Sequence, residues 1–122
     1  MKKVLFVDDN KVLSRLSCDI LRMEGFQAVP AFSAEEALEA FEKENFDLLI
    51  TDFRLGPMDG LQLARVIHDK WPNIPVIMVT AYGPIEGREI RKCLPKEQLF
   101  PALLEEIRTC LCEMEATNEQ PV

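Results

Sequence analysis

Long apolar stretches are missing from this sequence of 122 residues. No run approaches the roughly 20 residues that a membrane-spanning helix needs. The opening Met1-Lys2-Lys3 leads directly into a short apolar run without a secretory cleavage pattern. We therefore expect a cytoplasmic protein that is complete from its first residue and has no membrane partner.

Positive charge is also scarce. The chain has 14 Lys and Arg against 21 Asp and Glu, and its formal net charge is -7. Nonspecific binding to nucleic acid depends on clustered cations that neutralise phosphates. We therefore expect no direct nucleic-acid partner, and a protein or a small ion instead.

Paired cysteine motifs and histidine clusters are absent. The cysteines show no CxxC spacing and are interpreted as reduced, partly buried side chains, namely Cys18, Cys93, Cys110 and Cys112. The only histidine, His68, lies on a predicted helix just before Lys70 and Trp71. We interpret it as a surface helix residue rather than a catalytic one.

Short apolar runs alternate with helical patterns along the chain. Residues 4–7, 48–50 and 76–79 form continuous apolar runs, which are typical of strands covered on both faces of a parallel sheet. Residues 26–29 and the region around 93–94 complete five predicted strands. Such alternation predicts an α/β fold with a doubly wound parallel sheet, in one domain over 1–115 followed by a flexible tail over 116–122.

Each predicted helix has recognisable ends or an apolar face. The first has apolar residues at three- and four-residue spacing, namely Leu13, Leu16, Ile20 and Met23. Gly25 is predicted to end that helix, and Ser33 with Glu36 forms a capping box that opens the second. The third has its own apolar row, Leu61, Ala64 and Ile67. Pro101 suits the first turn of the last helix.

Polar side chains follow several of the predicted strands. Asp8 and Asp9 follow the first strand, Asp52 ends the third, Thr80 ends the fourth, and Lys96 lies just beyond the fifth. Any one such acid is more often a helix cap or a loop residue. In a parallel sheet, however, the carboxyl ends of all strands share one edge, so the whole set is expected to meet in one crevice.

Three carboxylates in one crevice need a counter-ion. At separations of ~4–6 Å they repel one another by up to several kcal/mol per pair at moderate dielectric. Mg²⁺ fits a site made of oxygen ligands and also favours phosphoryl groups. Asp52 is the single acid between the paired acids and Thr80. It is therefore the best candidate for a nucleophile that forms an aspartyl phosphate.

Four short motifs carry a family resemblance. They are Val7-Asp8-Asp9-Asn10, Asp52 within Thr51-Asp52-Phe53-Arg54-Leu55, Met58-Asp59-Gly60, and Val79-Thr80-Ala81. In this order and spacing the sequence resembles the response-regulator receiver domains of two-component signalling, from Lys3 to about Met114. The resemblance implies a flavodoxin-like sheet with strand order 2-1-3-4-5.

The resemblance also implies a phosphorylation site. Asp52 is expected to accept a phosphoryl group from a sensor histidine kinase or a phosphotransfer protein. Mg²⁺ is expected to bind Asp9, Asp52 and the backbone carbonyl of Arg54, with Asp8 reaching the ion mainly through water.

A switch follows from the same resemblance. Thr80 is expected to hydrogen-bond the phosphoryl group and Lys96 to pair with another of its oxygens. Their movement would change the binding of a downstream protein, so we expect a phosphoacceptor and not a turnover enzyme. A homodimer is left open.

The sequence departs from the family near the predicted fifth strand. Lys96 is followed by Glu97 where the family has proline, and Cys93 stands at the family's aromatic position. The interval from Thr80 to Lys96 is shorter than in the family by about one and a half helical turns. We therefore expect the helix between the fourth and fifth strands to be short or missing. Lys92 is the less favoured substitute for Lys96.

Two other functional classes are alternatives to a phosphorylated switch. An aspartate-nucleophile phosphohydrolase needs a second Asp two residues after the first, where this chain has Asn10 after Asp8 and Lys11 after Asp9. That class is excluded. A constitutive binding module that keeps the fold without being phosphorylated is favoured by Glu97, Cys93 and the short interval, and it stays open.

Overall fold

The structure is a computed structural model that describes residues 2–81, 83–96 and 99–119. Tyr82, Glu97 and the end of the expected tail, 120–122, lie outside the described residues. The strands are β1 (Lys3–Val7), β2 (Gln27–Ala31), β3 (Leu48–Asp52), β4 (Val76–Thr80) and β5 (Lys92–Pro95). The helices are α1 (Lys11–Met23), α2 (Ala34–Lys43), α3 (Gly60–Lys70) and α4 (Leu99–Glu119).

The sheet has the strand order β2-β1-β3-β4-β5, and every strand pair is parallel. This confirms the predicted α/β fold and strand order. The register pairs Val7 with Thr51, Asp52 with Val79, and Thr80 with Pro95. The carboxyl ends of four neighbouring strands therefore lie at one edge of the sheet.

Two apolar layers cover the two faces of the sheet. Val4 and Phe6 of β1 point into the layer that contains residues of α1 and α4, whereas Leu5 and Val7 point into the layer formed with α2 and α3. Because β1, β3 and β4 are covered on both sides, almost every residue in them is buried. This is why their sequences are continuous apolar runs rather than alternating ones.

The helical pattern of α1 is confirmed, but its apolar row does not face the core. Leu16 is 54% exposed and Met23 is 84% exposed, while Leu13 and Ile20 are only half-buried. The buried residues of α1 have the same helical spacing but lie on a different face of the helix. They are Ser14, Ser17, Cys18 and Leu21. Small side chains in that row let α1 lie close to the sheet, where the Ser14 hydroxyl donates to the carbonyl of Phe6 at 3.4 Å. The larger apolar row of α1 consequently faces solvent.

The predicted ends of the first two helices are present. Gly25 follows the C-cap of α1 with a φ of +99°, a conformation that glycine adopts without steric cost. Ser33 caps α2 by accepting from the amide of Glu36 at 3.1 Å. The Glu36 carboxylate returns to the amide of Phe32 at 2.8 Å rather than to that of Ser33. The capping interaction therefore spans one residue more than predicted.

The connection between β4 and β5 contains no helix among its described residues, 81 and 83–91. This confirms the prediction that the helix between these strands is short or missing. Residues 83–91, called the crossing segment below, run over the same face of the sheet as α3. Ile90 packs into the layer formed with α2 and α3, and the Arg91 amide donates to the carbonyl of Val76 at 2.8 Å.

The last helix begins its regular turns at Pro101, as predicted. Phe100 has an extended backbone, with φ -113° and ψ 138°. The helix extends to Glu119, into the segment 116–122 that we expected to be a tail, and the domain boundary at 115 stays a prediction. None of the helices in the described part of the chain combines the length and apolarity needed to cross a bilayer.

Candidate functional site

Three aspartates meet at the carboxyl edge of the sheet. Asp8, Asp9 and Asp52 each offer a carboxylate oxygen, and these oxygens lie within 4.8 Å of one another. Asp8 and Asp52 are buried, whereas Asp9 is exposed. The strand ends thus bring together the three acids that the sequence singled out, with one of them open to solvent.

Lys96 joins two of these acids. Its ammonium lies 2.9 Å from Oδ2 of Asp8 and 3.1 Å from Oδ2 of Asp52. Lys96 follows Pro95, which pairs with Thr80 at the site edge of the sheet. Lys92 pairs with Ile77 near the opposite end of β5. Of these two lysines, it is therefore Lys96 that reaches the acids.

The pKa values of Asp52 and Lys96 are both raised above their ordinary values. Burial raises the pKa of Asp52, and the charge of Asp8 raises it further. The hydrogen bond and charge of Lys96 and the hydrogen bond from the Phe53 amide lower this pKa, but by less. Burial would lower the pKa of Lys96, but its hydrogen bonds to Asp8 and Asp52 and their charges raise it overall. The negative charge on Asp52 is therefore costly, and a cation near it is favourable.

Asp8 is held by backbone groups as well as by Lys96. Its own amide donates to the carbonyl of Ala31 at 3.1 Å, and its Oδ1 accepts from the amide of Asn10 at 2.9 Å. Asn10 in turn caps α1 by accepting from the amide of Leu13 at 3.1 Å. The position of Asp8 is therefore fixed by β2 on one side and by the start of α1 on the other.

Thr80 and Arg54 both lie near Asp52, Thr80 at the end of the neighbouring strand β4 and Arg54 two residues further along the chain. Thr80 is buried at the end of β4, and its strand neighbour Pro95 directly precedes Lys96. The amide of Phe53 donates to the carbonyl of Val79 at 3.1 Å and so extends the β3–β4 pairing past Asp52. Arg54 follows at once, with an exposed side chain.

The motif Met58-Asp59-Gly60 lies at the start of α3, where the sequence analysis missed a capping box. Asp59 and Gln62 form a capping box, in which Asp59 accepts from the Gln62 amide at 2.8 Å and Gln62 accepts from the Asp59 amide at 3.0 Å. The next residue, Gly60, donates its amide to the carbonyl of Phe53 at 2.7 Å. The signal was available, because an Asp followed three residues later by a Gln is typical of a helix start.

A cavity of about 250 Å³ adjoins the site beside the β4–β5 connection, whose described residues form no helix. It is lined by Thr80, Ala81, Gly83, Pro84, Cys93, Leu94 and Pro95. Cys93 is half-buried there and its sulfur accepts from the amide of Ile85 at 3.4 Å. The small thiol at position 93 and the shortened connection together leave this space beside Thr80.

The donor set of the cluster fits a hard divalent cation. All three candidate ligands are carboxylates, which Mg²⁺ prefers over sulfur or nitrogen donors. A cation there would lower the cost of ionised Asp52, whose pKa is raised by burial. The arrangement can therefore combine a cation, a carboxylate nucleophile and an ammonium group.

A comparison with family models matches residues 4–99 to the response regulator receiver domain. The chain belongs to this family. Its sequence is 39% identical over 84 residues to the response regulator protein FleR of Pseudomonas aeruginosa. That match covers 69% of this chain and 18% of FleR, so the receiver domain spans less than a fifth of this relative.

Solved receiver structures share the fold. The response regulator protein TrrA of Thermotoga maritima, in complex with Mg²⁺-BeF, superposes with a TM-score of 0.84 at 30% identity, covering 90% of this chain and 99% of that one. A chain in the complex of the histidine kinase ThkA with TrrA gives a TM-score of 0.82 at 30% identity, with 91% and 99% coverage. The fold of this receiver domain is thus the one seen in both complexes.

Proposed function

We propose that this receiver domain is a phosphorylation-dependent signalling switch and that Asp52 is its phosphoacceptor. The observation that carries the proposal is the buried carboxylate of Asp52, hydrogen-bonded to Lys96 and within 4.8 Å of two further acids. This arrangement supplies a nucleophile, a cation site and a positive charge for a transferred phosphoryl group. A cytoplasmic location is part of the same proposal.

The donor in this proposal is a phosphohistidine of a histidine kinase or a phosphotransfer protein. A carboxylate oxygen of Asp52 attacks phosphorus and forms an O–P bond while the N–P bond of the donor breaks. The imidazole nitrogen keeps the bonding electrons and takes up a proton. Because Asp52 of the domain is itself the phosphoacceptor, the domain takes part in transfer without being a turnover enzyme.

Mg²⁺ would be held by Asp9, Asp52 and the backbone carbonyl of Arg54, with Asp8 reaching it mainly through water. The ion supplies charge neutralisation for the phosphoryl oxygens. The TrrA structure with Mg²⁺-BeF, which shares the fold at 30% identity, supports this choice of cation.

Two residues are proposed to sense the phosphoryl group. Lys96 would leave its present bonds to Asp8 and Asp52 and pair with a phosphoryl oxygen. Thr80 would donate its hydroxyl to another oxygen from the end of β4. Their placement on the two strand ends beside Asp52 supports these roles. A downstream protein would then recognise the altered β4–β5 edge.

The exposed apolar row of α1 is a proposed docking face for the phosphodonor. Val12 is 77% exposed and, with Leu16 and Met23, forms an apolar surface on the helix that starts just after Asp9. Exposed apolar patches of this kind mark protein interaction sites. The ThkA–TrrA complex shows that a protein of this fold and a histidine kinase associate. A purified kinase that phosphorylates the wild type should transfer more slowly to a Leu16→Glu variant.

Intact-mass measurement tests the central proposal. Incubation with Mg²⁺ and acetyl phosphate should add the mass of one phosphoryl group to the wild type, and none to an Asp52→Asn variant. An unchanged wild-type mass would contradict the proposal and favour a constitutive binding module.

A further inference from the structure

Helix α3 begins in direct contact with the backbone of the proposed phosphoacceptor. The Gly60 amide donates to the carbonyl of Phe53 at 2.7 Å. A Cβ atom built on Gly60 would lie 2.3 Å from the carbonyl oxygen of Asp52 and 3.0 Å from Cα of Phe53. Real Cβ atoms essentially never approach other atoms closer than 3.0 Å. The first residue of α3 therefore has no room for a side chain.

The backbone conformation of Gly60 does not itself require glycine. Positive φ values occur at Gly25, Gly56 and Gly83, and Gly60 is not among them. In a helix, alanine is a better residue than glycine. The contact with Asp52, and not the local conformation, is therefore the reason that only glycine fits at this position.

The rest of α3 holds this contact in place. The capping box of Asp59 and Gln62 fixes the first turn. Leu63 and Ala64, which follow it, are fully buried against the sheet. A side chain at position 60 would thus press against a helix start that cannot move away, so that the Asp52 peptide would have to shift instead.

We propose that Gly60 is a positioning residue for the phosphorylation of Asp52. By letting α3 rest directly on the backbone of Asp52 and Phe53, it fixes the Asp52 carboxylate and the Arg54 carbonyl relative to Asp8 and Asp9. This inference rests on the proposed function of Asp52. Misplacement of a reacting group by about 1 Å can cost on the order of a hundredfold in rate, so the contact matters for transfer as well as for the fold.

A matched pair of substitutions tests the proposal. Gly87 also has no positive φ, and a Cβ there would meet only the ends of flexible side chains, Glu89 at 3.0 Å and Leu61 at 3.1 Å. Gly60→Ala should lower the maximal rate of phosphorylation from acetyl phosphate and Mg²⁺ at least tenfold. The donor concentration for half-maximal rate should change little. Gly87→Ala should stay within twofold of the wild type in both.

A second measurement separates this inference from the proposed function. The backbone amide resonances of residues 52–54 can be measured without metal or phosphate. They should shift in Gly60→Ala but not in Gly87→Ala. If the wild type gains no phosphoryl mass, the proposed function fails while these resonances still report on positioning. The positioning role would be overturned by a folded Gly60→Ala protein whose resonances match those of the wild type. If the wild type is phosphorylated, the variant would also have to match its rate.

A cap variant covers the case in which Gly60→Ala does not fold. Asp59→Ala loosens the start of α3 without adding an atom, and Ser33→Ala removes the corresponding cap of a different helix, α2. The phosphorylation rate should fall at least threefold in Asp59→Ala only, and Asp59→Asn, which can still cap, should restore it. Equal rates in Asp59→Ala and Ser33→Ala would count against the proposal.

Discussion

At the scale of single residues, the site is a set of buried charges that neutralise one another only in part. Asp8 and Asp52 share the ammonium of Lys96, and the pKa of Asp52 is still raised, chiefly by burial. Removing the negative charge of Asp52 should therefore stabilise the metal-free protein, and removing the positive charge of Lys96 should destabilise it. The sequence predicted which acids meet, because strand ends share an edge. It did not predict that Lys96 would bridge two of them.

Asp52→Asn should stabilise the metal-free protein at neutral pH by on the order of 1 kcal/mol, the size of one relieved like-charge contact. Because the folded-state pKa of Asp52 is raised, the ionised carboxyl destabilises the fold at every pH above that pKa. The cost disappears below the ordinary pKa of 3.8. Urea unfolding from neutral to acidic pH should therefore show a variant advantage that shrinks as the pH falls. An advantage that grows toward acid would contradict this assignment.

Lys96→Ala should destabilise the metal-free protein by about 1–2 kcal/mol, less than for a fully buried ion pair because the lysine side chain is 23% exposed. Mg²⁺ should recover more stability in this variant than in the wild type, since it then supplies the missing positive charge. Thermal unfolding with and without Mg²⁺ measures both effects. Lys92→Ala is the control, and a loss of equal size there would show that Lys96 is not the counter-ion.

At the scale of elements, predictions succeeded where burial alone decides the pattern. β1, β3 and β4 were predictable because strands covered on both faces need continuous apolar runs. β2 was placed one residue early, since the Phe26 amide donates to the carbonyl of Leu21 at the end of α1. Pro30 is tolerated in β2 because this strand is at the edge of the sheet.

The face of α1 could not be predicted from apolar spacing. Two rows with the same helical period run along this helix, and the row with the smaller, partly polar side chains is the buried one. Close packing against the sheet selected it, because large side chains would hold the helix away. Apolar spacing alone favours the row with more leucine, and that row lies on the surface.

A pair of alanine substitutions in α1 measures this difference. Leu21→Ala should cost about 2–5 kcal/mol, because it opens a cavity in the core. Leu16→Ala, on the exposed row, should change stability by about 0.5 kcal/mol or less. Chemical denaturation gives both values. Equal losses in the two variants would mean that the helix is rotated from the position seen here.

The cavity between the crossing segment and β5 gives a second prediction at this scale. Cys93→Leu should fill part of the cavity of about 250 Å³ beside Thr80 and raise stability by roughly 0.5–1 kcal/mol, even though the contact from the Ile85 amide is lost. The exposed Cys112 provides the control, because Cys112→Leu should leave stability unchanged. A destabilised Cys93→Leu protein would indicate that the thiol contact matters more than the empty space.

At the scale of the whole molecule, the fold places the proposed chemistry at one edge of the sheet. Parallel strands bring acids, hydroxyl and ammonium together there, and β5 connects Lys96 to the part of the receiver domain that differs most from the family pattern. The motifs at the strand ends made the acids and Thr80 predictable. The contact of Gly60 with Asp52 was not predictable, because it depends on the exact approach of α3 to β3.

The central claim is that Asp52 receives the phosphoryl group, and peptide mapping of the phosphorylated protein tests it most directly. After incubation with acetyl phosphate and Mg²⁺, digestion with trypsin under mildly acidic conditions should place the added group on the peptide 44–54, which contains Asp47 and Asp52. Fragmentation should assign it to Asp52. A group found on Asp8, Asp9 or any other residue, or no modified peptide at all, would contradict the account.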